Sequence, residues 1–230
     1  MEKQALIVGV GDGLSAALAR RLQGEGYQLI LAARNVDKLA GLQQQTNAQI
    51  IACDAADPSQ VSALLAQISG HLTVAIYNPS ARVRGPVADL DPSAVLTALK
   101  VTAFGAFLFG QAAAAKMLDQ TPDDGRRGTI LFTGASAGVK GFPQSAPFAM
   151  GKFAQRGLAQ SMSRELHPKG IHVAWINIDG SIDHPSRATG EDNDTRLSPK
   201  AIADSYFHLI NQHRSAWSEE LALRPWVENF

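Results

Sequence analysis

The sequence predicts a three-layer α/β domain built on one doubly wound parallel sheet. Short apolar runs alternate with segments of helical period, and most of those runs are continuous rather than alternating. A glycine-rich turn then joins the first run to the first helical segment. Strand–helix alternation is the pattern of βαβ units. Continuous Val/Ile/Leu/Ala runs suit strands covered on both faces.

The strand candidates are residues 5–10, 28–33, 49–53, 72–77, 129–133 and 172–177. Helical segments lie between them at 14–23, 36–45, 59–68, 94–118 and 146–166. The fourth helix ends GAFLFGQAAAAKML and is apolar on more than one side. A helix between a sheet and a partner subunit reads that way, and so does a buried core helix. Residues 119–128, DQTPDDGRRG, are dense in turn formers. Residues 186–199, SRATGEDNDTRLSP, follow the sixth strand. A loop of that length is either a functional lid, placed at about 183–200, or a plain connector. Residues 200–213 then read as a helix and 220–226 as a last strand. There is no internal repeat, so residues 1–230 are expected to form one domain.

Composition excludes several classes. Lys+Arg and Asp+Glu balance at 21 each, and the longest basic cluster is Arg126-Arg127, so a nucleic-acid footprint is not expected. One cysteine, Cys53, permits neither an intrachain disulfide nor a site of several thiolates, and no metal is expected. The opening MEKQALIVGVG lacks a signal-peptide layout, and no stretch approaches the ~20 apolar residues of a membrane span. A cytoplasmic protein, without membrane partners, is expected.

The first strand runs into Gly9-Val10-Gly11-Asp12-Gly13-Leu14-Ser15, and a helix follows at once. Glycine lets the chain leave a strand sharply and brings bare backbone against a diphosphate. The helix N-terminus offers free N–H groups and a positive dipole end. Position 14 is Leu, so the spacing is Gly-x-x-x-Gly and not Gly-x-Gly-x-x-Gly. Where an NAD enzyme places an acid against the ribose 2′-hydroxyl, the sequence has Ala33-Arg34. A guanidinium binds a 2′-phosphate bidentately. Arg34 therefore points to NADP(H) over NAD(H), unless it is only a solvated strand-end charge.

With these marks the chain resembles the short-chain dehydrogenase/reductase family, from residue 4 to about 185. The resemblance rests on Gly9-x-x-x-Gly13-Leu14-Ser15, Ala33-Arg34, Asp54, Asn78-Pro79-Ser80-Ala81, Val101-Thr102, Phe148-x-x-x-Lys152 and Asp179-Gly180. It implies a Rossmann-like fold with Gly9, Gly11, Asp12, Gly13 and Leu14 around the pyrophosphate. It further implies Arg34 at the 2′-phosphate, Asp54 and Ala55 facing the adenine, and Asn78 beside the adenosine ribose. Ile182 would meet the nicotinamide carboxamide, and Lys152 the nicotinamide ribose. Relatives place their long helices at subunit interfaces, which implies a homodimer or homotetramer.

The active site departs from the family pattern. Phe148 occupies the usual Tyr position, Thr102 the usual Asn and Ala135 the usual Ser. Lys152 alone is unchanged, one helical turn from Phe148. A phenylalanine fills the volume of a tyrosine but exchanges no proton. Ser136 is a substitute only if its loop shifts register. His184 is either a proton carrier near the nicotinamide end or a loop histidine in water. Tyr27, Tyr77 and Tyr206 each read more simply as packing residues. Two expectations remain open. One is an NADP(H)-dependent oxidoreductase with non-standard acid–base residues, acting on a small carbonyl, alcohol or activated alkene. The other is an inert NADP(H)-binding sensor or scaffold. A third, elimination or epimerisation on the same fold, has less to support it.

Overall fold

A computed structural model describes residues 2–184 and 194–227. Seven strands form a single sheet in the order β3-β2-β1-β4-β5-β6-β7. They are β1 (Lys3–Val8), β2 (Gln28–Ala33), β3 (Gln49–Ala52), β4 (His71–Tyr77), β5 (Gly128–Thr133), β6 (Ile171–Ile178) and β7 (Glu220–Leu223), and every pairing is parallel. The winding reverses between β1 and β4, so the loops leaving those two strands diverge and open a crevice.

Alternation along β1 shows why the sheet needs cover on both sides. Ala5 and Ile7 face a core shared with α1 (Leu14–Gln23), α2 (Ala40–Thr46) and α7 (Pro199–Asn211). Leu6 and Val8 face a core shared with α3 (Pro58–Ala66), α5 (Gly105–Asp119) and α6 (Ala146–Leu166). The central strands β4, β5 and β6 are thus nearly buried throughout, while the edge strands β3 and β7 stay partly exposed.

Several boundaries move from those read in the sequence. β1 ends at Val8, not at 10, because Gly9 adopts φ +81° and leaves the ladder. The expected helix at 94–118 is α4 (Pro92–Leu99), a π turn over Lys100–Phe104, and α5. It begins early because Asp91 caps it, accepting from the Ser93 and Ala94 amides, with Pro92 in the first turn. Within the π turn the Val101 carbonyl accepts a hydrogen bond from the buried Tyr77 hydroxyl at 2.5 Å. Gly105 makes room for this, since a Cβ there would collide with that hydroxyl. The expectation that no stretch approaches a membrane span is corrected too. The continuous helical run Pro92–Asp119 is long and apolar enough by composition, with mean hydropathy 1.6. Its Ala106, Phe109, Ala113 and Met117 are buried against the sheet, as in a core helix.

Much of the expected lid lies at residues 185–193, outside the described residues. On either side of that segment, Ile182 and Leu197 bridge in parallel. The Arg126-Arg127 pair closes a surface loop. Arg126 donates to the Ile210 carbonyl at 2.6 Å and Arg127 to the Leu118 carbonyl at 3.0 Å.

His172, in the strand that leads to the crevice, is wholly buried. It stacks on Trp217 at 5.0 Å, and its Nε2 lies 2.8 Å from the Ser218 carbonyl. Burial pushes its pKa down to about 4. An unfolded histidine titrates near 6.5, so between these values the unfolded chain binds the extra proton. The stability linked to His172 is complete above about pH 6.5 and is lost as pH falls toward about 4. Thermal melts at pH 7 and pH 4.5 should show a fall in Tm that shrinks by roughly 5 °C in His172→Gln. An equal fall in both proteins would remove His172 from the account.

Candidate functional site

The turn after β1 is built by close approach. A Cβ on Gly9 would sit 2.7 Å from the Pro79 ring, so only glycine lets the ends of β1 and β4 meet here. Gly13 is the N-cap of α1 and supplies no capping side chain. By contrast α3, α4 and α7 are capped by Asp57, Asp91 and Ser198. Among the described residues the first-turn amides of α1 therefore find no side-chain acceptor, and they stand beside a cavity of about 690 Å³ lined by Gly9, Gly11, Gly13 and Leu14.

Side chains hold this floor in place. Ser15 donates to the Gly9 carbonyl at 3.1 Å and accepts from the Asn78 amide nitrogen at 2.8 Å. Asn78 Oδ1 accepts from the Thr133 hydroxyl. With that proton committed, Thr133 accepts from the buried Tyr206 hydroxyl at 2.8 Å. One chain of hydrogen bonds thus runs from α7 through β5 and the loop after β4 to the β1 turn.

Beside this cavity lies a second recess of about 600 Å³, lined by Arg34, Lys38, Asp54 and Ala55. Gly9, Asn78 and Ser80 line both recesses, which makes them one cleft. Arg34 is exposed at its rim. Asp12 is exposed at the turn and lines neither part. Ile182 lines the larger cavity from the loop after β6. That loop starts at Asp179, which stands where the family's Pro would be. Its carboxylate lies 3.3 Å from Arg224, an ion pair at the edge of the cleft.

At the far end lies Lys152, a fully buried amine. Its Nζ donates to the Thr133 carbonyl at 2.6 Å and to Gln155 Oε1 at 3.2 Å. Burial, with a smaller push from the Arg82 charge, brings its pKa down to about 7. Phe148 packs with Ala135 and Ala137 into an apolar wall, and the Arg82 guanidinium lies 4.3 Å above its ring. Thr102 is buried and lines neither part of the cleft. Its Oγ1 accepts from the Ala81 amide at 3.0 Å, and Gly151 of α6 is the glycine that lets it approach.

The remaining candidates separate. His184 shares the large cavity with Lys152 but stands against the turn, with its ring carbon 3.3 Å from where a Gly13 Cβ would be. Ser136 lines neither part of the cleft described so far and opens on an adjoining recess of about 390 Å³. The Tyr77 and Tyr206 hydroxyls are both committed to internal partners. Lys38, Arg82 and Gln155 escaped the sequence reading. Lys38 follows Arg34 by four residues, and Arg82 lies two residues beyond Ser80, so spacing from recognised positions was the available signal.

Comparison with known proteins gives a consistent picture. The family model described as short chain dehydrogenase matches residues 3–190. An uncharacterised oxidoreductase of Staphylococcus aureus strain N315 is 25% identical over 231 residues, covering 97% of each chain. Among solved structures, a short-chain dehydrogenase from Rhodopseudomonas palustris superposes with a TM-score of 0.83 at 32% identity, over 97% of this chain and 99% of that one. A variant of actinorhodin polyketide ketoreductase with NADPH gives 0.86 at 21% identity, over 100% and 98%. A metagenomic short-chain oxidoreductase with NADP gives 0.82 at 23% identity, over 98% of each. A match that runs from the first strand past the sixth makes this chain a member of the short-chain dehydrogenase family.

Proposed function

We propose that the protein is an NADP(H)-dependent oxidoreductase that acts on a small carbonyl, alcohol or activated alkene without a catalytic tyrosine. The observation that carries this reading is the single cleft from Arg34 to Lys152, passing over the uncapped start of α1. The residues fit such a cofactor. Gly9, Gly11, Gly13 and Leu14 leave bare backbone for a diphosphate, and Arg34 and Lys38 supply two cations for a 2′-phosphate. The NADPH and NADP of the two relatives above support the phosphorylated form. Asp54 and Ala55 bound the adenine recess, Asn78 the ribose, and Ile182 the nicotinamide end.

When bound, the nicotinamide supplies or accepts the hydride. The chain contributes position and a proton. Lys152 holds or releases a proton at Nζ close to neutrality, where an acid–base group works best. The Thr133 carbonyl and Gln155 aim it, and Phe148 with Ala135 keeps water from one side. The place of His184 against Gly13 favours contact with phosphate oxygens over proton transfer. Ser136, on the adjoining recess, favours a contact with substrate. Exposed Phe104, Phe107, Met150 and Phe153 support burial of the α5 and α6 faces in a homodimer or homotetramer. A lone buried Cys53 suits a reducing compartment such as the cytoplasm.

A second reading, an NADP(H)-binding sensor or scaffold without turnover, is favoured by one observation. Phe148 fills the proton-transfer position, and the tyrosine hydroxyls on neighbouring strands and helices are committed elsewhere.

Titration calorimetry should give tighter binding of NADPH than of NADH, and Arg34→Ala should weaken NADPH roughly tenfold while leaving NADH nearly unchanged. Absence of affinity for either nucleotide in folded protein would refute both readings. NADPH oxidation against a panel of aldehydes, ketones, quinones and enones separates them. Turnover that Lys152→Met lowers by roughly a hundredfold or more, with NADPH still bound, supports the enzyme. Binding without turnover supports the sensor. Phe148→Tyr places a phenol one helical turn from Lys152 and should raise carbonyl reduction at least tenfold. No gain, with cofactor bound, argues against the pocket geometry.

A further inference from the structure

Gln155 lies one helical turn beyond Lys152 in α6 and, like it, is buried. Its Oε1 accepts from Lys152 Nζ at 3.2 Å. Its Nε2 meets no hydrogen-bond partner among the described residues. A buried N–H left unpaired costs free energy, and an apolar side chain of similar length, such as Met, fills the same space without that cost. Packing alone therefore does not account for a glutamine here. The amine that it faces does.

A lysine nitrogen has three positions besides its bond to carbon. In the ammonium all three are N–H bonds, and in the neutral amine two are N–H bonds and one is a lone pair. The Thr133 carbonyl takes one position at 2.6 Å and Gln155 Oε1 takes a second. Both acceptors are neutral, so neither fixes the charge of the amine. One position remains, and Lys152 lines the large cavity. With two N–H bonds held by acceptors, that position carries the lone pair of the neutral amine and the third N–H of the ammonium. A single direction then serves for taking a proton and for giving it.

We propose that Gln155 is a positioning residue: by holding one N–H of Lys152 beside the one held by Thr133, it reserves the third position of Nζ for a proton exchanged with a ligand in the cavity. This rests on the oxidoreductase reading for the use made of that proton, but not for the state of the amine. Few charges surround the pair. Arg82 of the loop after β4, and Asp183 and His184 of the loop after β6, line the same cavity. The elements α4, β5 and the turn at Ser136–Gly138 carry no charged side chain. Lys100 of the π turn is exposed, Lys116 of α5 donates to the Ile68 carbonyl, His172 of β6 is held at Ser218, and Arg156 of α6 pairs with Glu220. Burial, and less so the Arg82 charge, already brings Lys152 to about 7. An acceptor favours the charged amine, so removing the Gln155 oxygen moves its titration down and a carboxylate in that place moves it up.

The test is trace acetylation of the full chain with acetic anhydride between about pH 5 and about pH 10, with the Lys152 peptide followed by mass spectrometry, since only the neutral amine reacts. The midpoint should fall by roughly one pH unit in Gln155→Met and rise by roughly two in Gln155→Glu. In NADPH oxidation the pH–rate limb should move in the same directions. Gln155→Met should lower kcat roughly tenfold while the Kd for NADPH stays within about twofold of the parent. A glutamine with a merely structural role would lower Tm in both variants and leave the midpoint in place. Midpoints that stay put, or that move the same way in both variants, overturn the proposal. The parent chain gives a further check, free of any folding defect: a Lys152 that resists acetylation at every pH shows that no position of its nitrogen opens on the cavity, and overturns it too. Shifted midpoints without any NADPH oxidation would keep the role of Gln155 and refute the redox reading. Turnover whose pH limb ignores both variants would do the reverse.

Discussion

At the diverging ends of β1 and β4 two backbones come into contact, and the rest of the cleft follows from that meeting. The Asn78 amide donates to the Val8 carbonyl at 3.1 Å, and Gly9 bends away under the Pro79 ring with no room for a side chain. Because the strands are parallel and the winding reverses here, both chains must leave on opposite faces, and the space between them cannot be filled by either. Asn78 then reaches Ser15 with its amide nitrogen and Thr133 with its oxygen, so this one residue, with its backbone bond to Val8, ties β1, β4 and β5 to the first helix. The first-turn amides of α1 are held at the cleft by this bracket, not by any cap of their own.

The altered residues around Lys152 form a mutually consistent set. A buried ammonium without an anionic neighbour is unfavourable, and the fold answers by moving the amine toward neutrality while giving it two neutral acceptors. Phe148 and Ala135, where a phenol and a hydroxyl are usual, pack as an apolar wall. Thr102 pins the loop after β4 by accepting from the Ala81 amide. Asp179, in place of a proline, is matched by Arg224. Each of these residues thus has a local packing or hydrogen-bonding partner.

Most of the fold was legible because its signals are local. Buried parallel strands need unbroken apolar runs, and the glycine turn needs φ and space that only glycine allows, so both are written in consecutive residues. Arg34 was legible by its distance from the first strand. The π turn was not, since it depends on Tyr77, a residue over twenty positions away, finding the Val101 carbonyl. Lys38 and Arg82 were missed for a related reason. Their identity is ordinary for a surface, and only the path of the backbone turns them toward the cleft. Ser136 shows the converse. Its type suited the chemistry, yet the extended N-cap at Ala135 sends the two neighbours into different recesses.

The π turn also governs how this helix tolerates change in length. An i→i+5 turn holds one residue more than the regular spiral needs, and a regular helix rotates about 100° per residue. Removing one residue between Lys100 and Phe104 would therefore restore a regular spiral with α4 and α5 still facing as they do, whereas the same deletion within α5 would swing Phe109 and Ala113 off the sheet. The helix thus contains one place where the chain can shorten without turning its core-facing side chains outward, and that place lies beside the cleft.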